Sequence, residues 1–98
     1  MKFPLQRFTI SGNSMLPTLK SGQDVLVRCW FINPKAGDIV VIKHGVREIV
    51  KRIQTIRDRK YFVIGDNKKE STDSRKFGPI KKEQIIGKVI WYQFMGMR

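Results

Sequence analysis

Short apolar runs, separated by glycine and proline, occur along most of the chain and predict β-strands. Some runs alternate with polar residues and others are nearly continuous, and together they predict five strands at residues 24–28, 38–43, 46–56, 61–64 and 85–94. Short strands at this spacing favour a mainly β fold, either a small antiparallel sheet or a barrel.

Two segments lack the strand pattern. Residues 14–20 are the best candidate for one short helix, because Pro17 would fall in the first turn, where its missing N–H costs least. Residues 67–76 are polar, show no hydrophobic period and are predicted to form a loop. The length of 98 residues fits a single domain spanning the whole chain, residues 1–98.

The apolar runs are too short to cross a membrane as helices. They reach four residues, as in residues 39–42, whereas a spanning helix needs about 20. Pro4 and Arg7 interrupt the N-terminus before the apolar core of a signal peptide forms. The single cysteine, Cys29, agrees with a reducing compartment. We therefore expect a soluble cytoplasmic protein, or a membrane-associated one if an anchor was removed or the basic surface binds lipid.

The chain is strongly basic. Twenty Lys and Arg residues against eight Asp and Glu residues give a formal net charge of +12. A surplus of this size favours anionic partners, namely nucleic acid, an acidic membrane surface or an acidic protein. The hydrophobic content of 41% is still sufficient for a folded core, so composition excludes a disordered or collagen-like chain.

A serine stands where a predicted turn meets the predicted helix. Gly12 and Asn13 favour a tight bend from which the Ser14 hydroxyl would project. The free N–H groups at such a position suit a developing oxyanion. A serine before a helix also serves as an N-cap, which is its more frequent role when the segment is taken alone.

A lysine lies inside the predicted strand 46–56, in phase with Ile49 and Ile53. If this side of the strand faces the core, burial lowers the pKa of Lys51 and makes it a suitable general base. The alternative is a solvated strand lysine, which the in-phase Arg47 favours. A register slip of one residue would exchange Lys51 with Arg52 across the sheet.

The predicted loop carries hydroxyl, carboxylate and guanidinium groups at close spacing. Ser71, Asp73 and Arg75 follow one another at alternate positions, after the turn sequence Gly-Asp-Asn at residues 65–67. Asp73 and Arg75 are spaced to pair and to brace the loop. The alternative is a polar surface turn, in which an exposed ion pair contributes little.

Together these segments resemble the motifs of type I signal peptidases, which are serine endopeptidases with a Ser/Lys dyad. Several motifs in the right order make a specific signal. The resemblance implies a small antiparallel catalytic core of about residues 8–92, with one short helix after the nucleophile. Four stretches match: S-M-x-P-T-L at 14–19, P-x-x-G-D-I-V-V at 34–41, Lys-Arg-aliphatic at 51–53, and G-D-N with S-x-D-S-R at 65–75.

The resemblance implies roles for individual residues. Ser14 is the nucleophile and Lys51 is the general base. Ser71 orients the Lys51 amine, and Asp73 and Arg75 brace the loop that holds Ser71. No metal or other cofactor is implied. Two further sets follow, a pair beside the base formed by Asp66 and Arg52, and an oxyanion and substrate-binding set formed by Gly12, Asn13, Met15 and Pro17.

The short length and the run E-S-T-D-S-R at 70–75 most closely resemble the nickel-type superoxide dismutase maturation proteases, which remove a leader from the dismutase. This implies a precursor protein bound as an extended segment beside a strand edge. Nickel would then belong to the substrate. An anchor-less general signal peptidase I that processes secretory preproteins is the alternative. Two departures from many relatives are Gly12, where a serine is common, and the absence of a large insertion after Arg52.

Two other classes compete with this interpretation. A basic nucleic-acid-binding β-barrel would explain the charge and the aromatic residues but not the motifs, so we expect no nucleic acid. A self-cleaving repressor-type Ser/Lys domain would need a fusion partner. One cysteine and one histidine are too few for a metal site, so we interpret Cys29 as a packing residue and His44 as a turn residue. Peripheral membrane contact and the oligomeric state stay open.

Overall fold

Seven strands form one sheet in the computed structural model, which describes residues 4–92. A helix of four residues, α1 (Ser74–Phe77), and two 3-10 turns, Lys68–Glu70 and Lys82–Gln84, lie in the connections. No helix within residues 4–92 is long and apolar enough to cross a membrane. The strands are β1 (Leu5–Thr9), β2 (Asp24–Arg28), β3 (Ile39–His44), β4 (Arg47–Arg57), β5 (Lys60–Ile64), β6 (Ile80–Lys81) and β7 (Ile85–Tyr92).

The strands follow the order β1-β2-β7-β3-β4-β5-β6, and each pairs antiparallel with its neighbours. Across the described residues the sheet is open, because β1 and β6 are its two edges. Tight hairpins join β3 to β4 and β4 to β5. The second turn has Asp58 and Arg59 at φ of 52° and 63°, the left-handed pair typical of a two-residue hairpin. Turns at both ends therefore hold the register of β4.

Apolar side chains pack into two clusters. Neighbours on β3 belong to different clusters, Val40 to one and Val41 to the other, because successive side chains point to opposite faces of a strand. The first cluster contains Ile10, Met15, Leu19, Val25, Val27, Ile39, Val41, Val50 and Val89. The second contains Val40, Ile42, Ile53, Tyr61, Val63, Ile80 and Ile85.

The mainly β antiparallel fold and all five predicted strands are confirmed. β2 has the predicted bounds, β3 and β4 are each shifted by one residue towards the C-terminus, and β5 begins one residue earlier than predicted. β7 begins at residue 85 as predicted, and residues 93–94 of that prediction lie outside the described residues. β1 and β6 were not predicted, because β1 places Gln6 and Arg7 at its centre and β6 has only two residues.

The helix predicted at residues 14–20 is wrong. Turns and bends occupy residues 12–19 instead. In a helix the Ser14 carbonyl would accept the N–H of residue 18, but here it accepts the backbone N–H of Asn67 at 2.8 Å. A hydrogen bond to a distant segment has replaced the local one.

The loop predicted at residues 67–76 is also more ordered than expected. It contains the first 3-10 turn and most of α1, which is the one short helix of the fold. Asp73 caps α1, because its Oδ1 accepts the backbone N–H of Arg75 at 3.2 Å. The polar residues that suggested a loop therefore act as a helix start.

Candidate active site

The turn that carries Ser14 is attached to the segment that follows β5. Besides its bond to the Ser14 carbonyl, Asn67 donates its side-chain Nδ2–H to the Asn13 carbonyl at 3.0 Å. Gly12 has a φ of 89°, a conformation that residues with a Cβ rarely adopt. These constraints leave Ser14 half-buried, and its backbone N–H has no acceptor among residues 4–92.

Lys51 lies in the middle of β4, directly opposite Val40 of β3. It is only 4% exposed, which confirms that this side of the strand faces inward. Burial lowers the pKa of Lys51 below its ordinary value; Asp73 opposes the shift and Arg47 and Arg75 add to it. Within residues 4–92 its amine has no hydrogen-bond or ion-pair partner. A neutral amine is therefore accessible at lower pH than for an exposed lysine.

Asp73 is fully buried and anchors the loop after β5. Arg75 donates Nε–H to its Oδ1 at 2.9 Å and Nη2–H to its Oδ2 at 3.0 Å. The backbone N–H of Gly65 also donates to Oδ2, at 2.8 Å. Burial alone would raise the pKa of Asp73, but these hydrogen bonds outweigh it and hold the pKa well below its usual range. Asp73 is thus a permanent anion close to Lys51.

Ser71 is oriented by the same carboxylate. Its hydroxyl donates to Asp73 Oδ2 at 2.7 Å. Because the hydroxyl hydrogen is used in this bond, the lone pairs of Ser71 Oγ are available to accept a hydrogen bond. Arg75 extends the support by donating from Nη2 to the Lys68 carbonyl at 2.9 Å.

Asp66 links three parts of the chain through hydrogen bonds. Arg52 donates to both of its carboxylate oxygens, at 2.9 and 2.8 Å, and Thr18 donates its hydroxyl to one of them. The hydrogen bond from Arg52 is the main reason that the pKa of Asp66 is lowered. Arg52 also donates Nη1–H to the Gly37 carbonyl at 2.8 Å. The predicted Asp66–Arg52 pair is therefore present and joins β4 to the turn that carries the candidate nucleophile.

Gly65 brings Ser14 and Ser71 together, because the backbone at this point leaves no space for a side chain. A Cβ at residue 65 would lie 2.5 Å from Ser71 Cβ and 2.6 Å from the Ser14 carbonyl oxygen. Atoms in ordinary contact are nearly 1 Å farther apart. Glycine is therefore the residue that allows these two segments to approach.

A cleft of about 290 Å³ has both Ser14 and Lys51 in its lining. Gly12, Asn13 and Met15 of the predicted substrate-binding set line it too. Met15 is only 1% exposed, so it belongs to the core as well as to the cleft wall. Six predicted residues are not part of the lining, namely the exposed Pro17 and the bracing residues Arg52, Asp66, Ser71, Asp73 and Arg75.

Sequence reasoning missed several residues of the cleft. Phe8 and Ile10 line one part, and an aromatic pair lines another. In that pair the rings of His44 and Phe77 stack with centroids 4.1 Å apart and planes at 26°. His44 is the last residue of β3 and not a turn residue, so that interpretation is wrong. The hairpin could have indicated that His44 lies near the cleft. His44 pairs with Arg47, which lies on the same side of β4 as Lys51.

The described residues contain no cluster of metal-ligating side chains. Within residues 4–92 no group of three or more His, Cys, Asp or Glu side chains is arranged to hold a metal ion. Cys29 is half-buried and packs against the first core cluster, as its interpretation as a packing residue predicted. Burial raises the pKa of its thiol, which keeps it protonated.

Comparison with known proteins agrees with the resemblance to signal peptidases. A family described as signal peptidase, peptidase S26, matches residues 1–56 and 48–94. Signal peptidase IB of Staphylococcus aureus strain N315 is 40% identical over 58 residues, which cover 56% of this chain and 30% of that protein. Signal peptidase I V of Bacillus subtilis strain 168 is 61% identical over 28 residues, which cover 29% of this chain and 17% of that protein. The matches thus span 30% or less of these relatives' lengths.

Proposed function

This chain belongs to the signal peptidase family, peptidase S26, and from that premise we propose that it is a serine endopeptidase with Ser14 as nucleophile and Lys51 as general base. One observation carries the proposal. A lysine whose side chain is buried, and whose amine has no partner among residues 4–92, lines the same cleft as a serine on a constrained turn. An unpaired buried lysine destabilises a fold, so a role in proton transfer explains its presence better than packing does.

The first chemical step is acyl transfer to the serine. Neutral Lys51 Nζ accepts the Ser14 Oγ proton while Oγ bonds to the scissile carbonyl carbon, and the carbonyl electron pair moves to oxygen. When the tetrahedral intermediate collapses, the C–N bond breaks and the Lys51 ammonium returns its proton to the leaving amine. Ser14 Oγ and Lys51 Nζ form no hydrogen bond in the free protein. Such contacts are often long without substrate and tighten when it binds.

The second step regenerates the enzyme. A water molecule gives a proton to Lys51 and its oxygen attacks the acyl carbon. The bond to Ser14 Oγ then breaks, and Oγ takes the proton back from the Lys51 ammonium. The product leaves as a carboxylic acid, so the net reaction is hydrolysis of one peptide bond.

The negative oxygen formed in both steps needs a hydrogen-bond donor. The backbone N–H of Ser14 is a candidate, since it has no acceptor among residues 4–92. Gly12 supplies no hydroxyl to assist it, and Asn13 holds the turn through its carbonyl. Donors of this kind contribute roughly a hundredfold to a thousandfold in turnover.

Ser71 and its neighbours act as positioning residues in this proposal. With its hydrogen directed at Asp73, the Ser71 oxygen accepts a hydrogen bond from the Lys51 amine and aims the nitrogen lone pair at Ser14. Arg75 keeps Asp73 ionised and in place. The Asp66–Arg52 pair holds the next residue of β4 and so limits movement of Lys51.

The substrate proposed is a precursor protein whose N-terminal leader enters the cleft as an extended segment and is cut after a small residue. The E-S-T-D-S-R run supports the nickel-type superoxide dismutase precursor as that substrate. A secretory preprotein is the competing substrate, because the matched relatives are named signal peptidases. Nickel would enter only as cargo of the mature dismutase.

Cleavage assays test the dyad directly. We expect Ser14→Ala and Lys51→Met to lose at least a hundredfold in turnover while keeping the native circular-dichroism spectrum. Matched controls are Thr55→Ala and Lys43→Met, which remove an exposed hydroxyl and an exposed ammonium from strands β4 and β3. Wild-type turnover by either dyad variant would refute the proposed mechanism.

The substrate is identified in a separate comparison. The protein is incubated with a leader-bearing nickel superoxide dismutase and with a signal-peptide-bearing preprotein, and mass spectrometry locates any cut. We expect cleavage of the dismutase precursor at the end of its leader. Cleavage of the preprotein alone would contradict the dismutase assignment and leave the Ser/Lys mechanism intact.

A further inference from the structure

Helix α1 is fastened to β5 at its beginning. Ser74 Oγ accepts the backbone N–H of Val63 at 2.9 Å, and Asp73 Oδ2 accepts the backbone N–H of Gly65 at 2.8 Å. Both of the accepting side chains are buried. A helix of four residues is not stable by itself in water, so contacts of this kind must hold it in place.

At its other end α1 is held by a ring stack. Phe77, its last residue, stacks on His44 with ring centroids 4.1 Å apart and planes at 26°. Phe77 also packs against the second core cluster. His44 is the last residue of β3, after which the chain turns at Gly45 into β4. Helix α1 is therefore attached to two different strands, β5 and β3.

Strand β4 and its lysine lie between these two attachments. In the sheet β4 is the neighbour of both β3 and β5. Lys51 is paired with Val40, and His44 lies on the same side of β3 as Val40 by alternation, so Lys51 and His44 share one side of the sheet. Phe77 packs against the cluster that contains Val40, which places α1 on that side too. The helix therefore bridges β4 on the side that carries Lys51.

Both stacked rings line the cleft. Strand β5 pairs with β4 only over residues 52–57, so within the described chain residues 47–51 have β3 as a strand neighbour on one side and none on the other. The lining contains residues 47–51 together with His44 from the hairpin and Phe77 from α1. Losing the stack would therefore release the end of α1 that adjoins the cleft.

We propose that His44 is a positioning residue for the reaction. Its ring holds α1 in place through Phe77, and this inference rests on the proposed Ser/Lys dyad. Asp73 caps α1 and accepts the Ser71 hydroxyl, so movement of the helix moves both groups relative to Lys51. The stack requires a flat ring and not the imidazole nitrogens, because the two rings meet face to face.

Hydrogen exchange tests the attachment without any substrate. The amides of Val63 and Gly65 donate to the beginning of α1, so their exchange rates report its opening. We expect His44→Ala to raise both rates about fivefold, the loss of one ring contact, and His44→Phe to leave them as in the wild type. The control Phe31→Asn removes a ring that contacts Trp30 outside the cleft lining, and it should leave both amides unchanged.

Steady-state kinetics tests the consequence for cleavage. His44 is exposed to solvent apart from the stack, so its variants should fold. We expect His44→Ala to lose about tenfold in kcat with KM changed by less than about twofold, since the substrate still binds but the base is misdirected. His44→Phe should restore kcat. Phe77→Leu removes the same stack, so the double variant with His44→Ala should be no slower than the slower single variant.

The outcomes separate this inference from the proposed dyad. Unchanged exchange in His44→Ala would show that the stack does not hold α1. A His44→Phe variant as slow as His44→Ala would show that the imidazole nitrogens are required, and a rise in KM alone would make the rings a wall for substrate; either result refutes positioning by the stack. Wild-type turnover by Ser14→Ala or Lys51→Met would instead refute the dyad, and the catalytic role of His44 with it, while the exchange rates would still report the attachment of α1.

Discussion

Gly65→Ala tests whether the approach of Ser14 to Ser71 is essential for the site. The added methyl group would lie 2.6 Å from the Ser14 carbonyl oxygen, where ordinary contact begins at 3.4 Å. The carbonyl must therefore move by about 0.8 Å or the backbone of residue 65 must retreat. Either movement strains the hydrogen bond from the Asn67 N–H to the Ser14 carbonyl.

Two effects of this substitution have different magnitudes. Overpacking of a buried position costs about 1–3 kcal/mol in the free energy of unfolding. A displacement of nearly 1 Å at the proposed nucleophile, Ser14, costs roughly a hundredfold in turnover. We therefore expect Gly65→Ala to fold with reduced stability and to lose about two orders of magnitude in kcat.

Gly87→Ala is the matched control. Its Cβ would also meet atoms at close range, 2.5 Å from Val27 Cγ1 and 2.8 Å from the Arg28 carbonyl, but outside the cleft lining. Urea unfolding gives the stability of both variants, and kcat is then compared per folded molecule. If Gly65→Ala retains as much kcat per folded molecule as Gly87→Ala, the close approach at Gly65 does not position Ser14, the proposed nucleophile.

Three further outcomes follow from the charges around the site. Lys51→Met should raise the free energy of unfolding at pH 7 by about 1–3 kcal/mol, because it removes an ionisable amine carried by a buried side chain. Since the native pKa of Lys51 lies below its ordinary value of 10.5, wild-type stability rises as pH climbs towards that value, and the advantage of the variant in urea unfolding should shrink there. Asp73→Asn removes the anion that raises the pKa of Lys51, so the acidic limb of the kcat/KM profile should move to lower pH. If that limb does not move, it does not report the ionisation of Lys51. Arg52→Lys loses the two-pronged pairing with Asp66 and should cost about 1–2 kcal/mol in thermal or urea unfolding, whereas wild-type stability would show that this pair contributes nothing.

Strand prediction succeeded where the pattern was local. A short apolar run marked β3 and a weak alternation marked β4, and Ile49 and Ile53 placed Lys51 on the side of β4 expected to face the core. The same reasoning failed at β1, whose polar centre is compensated by pairing with β2. It failed again at residues 14–20, where the local signal for a helix was outweighed by hydrogen bonds to Asn67.

The site shows the same division. The order of the motifs indicated that Ser14, Lys51 and Ser71 act together, and the spacing of Asp73 and Arg75 indicated their pair. Neither signal could indicate that the segments carrying Ser14 and Ser71 both contact the backbone of Gly65. Nor could either indicate that His44 and Phe77 form part of the cleft. Those contacts join residues far apart in sequence, and no local period records them.

The sequence by itself determined the class of fold, five of the strands and the candidate residues for proton transfer, because side-chain period and residue chemistry are properties of short segments. The tertiary structure decided which of those residues share a cleft, and it alone lowered the pKa of Lys51 by burying the side chain opposite Val40, a shift that the ionised Asp73 opposes but does not cancel. Solvent exclusion and the distance between charges depend on how the sheet brings separate segments together, and so they exist only in the folded chain.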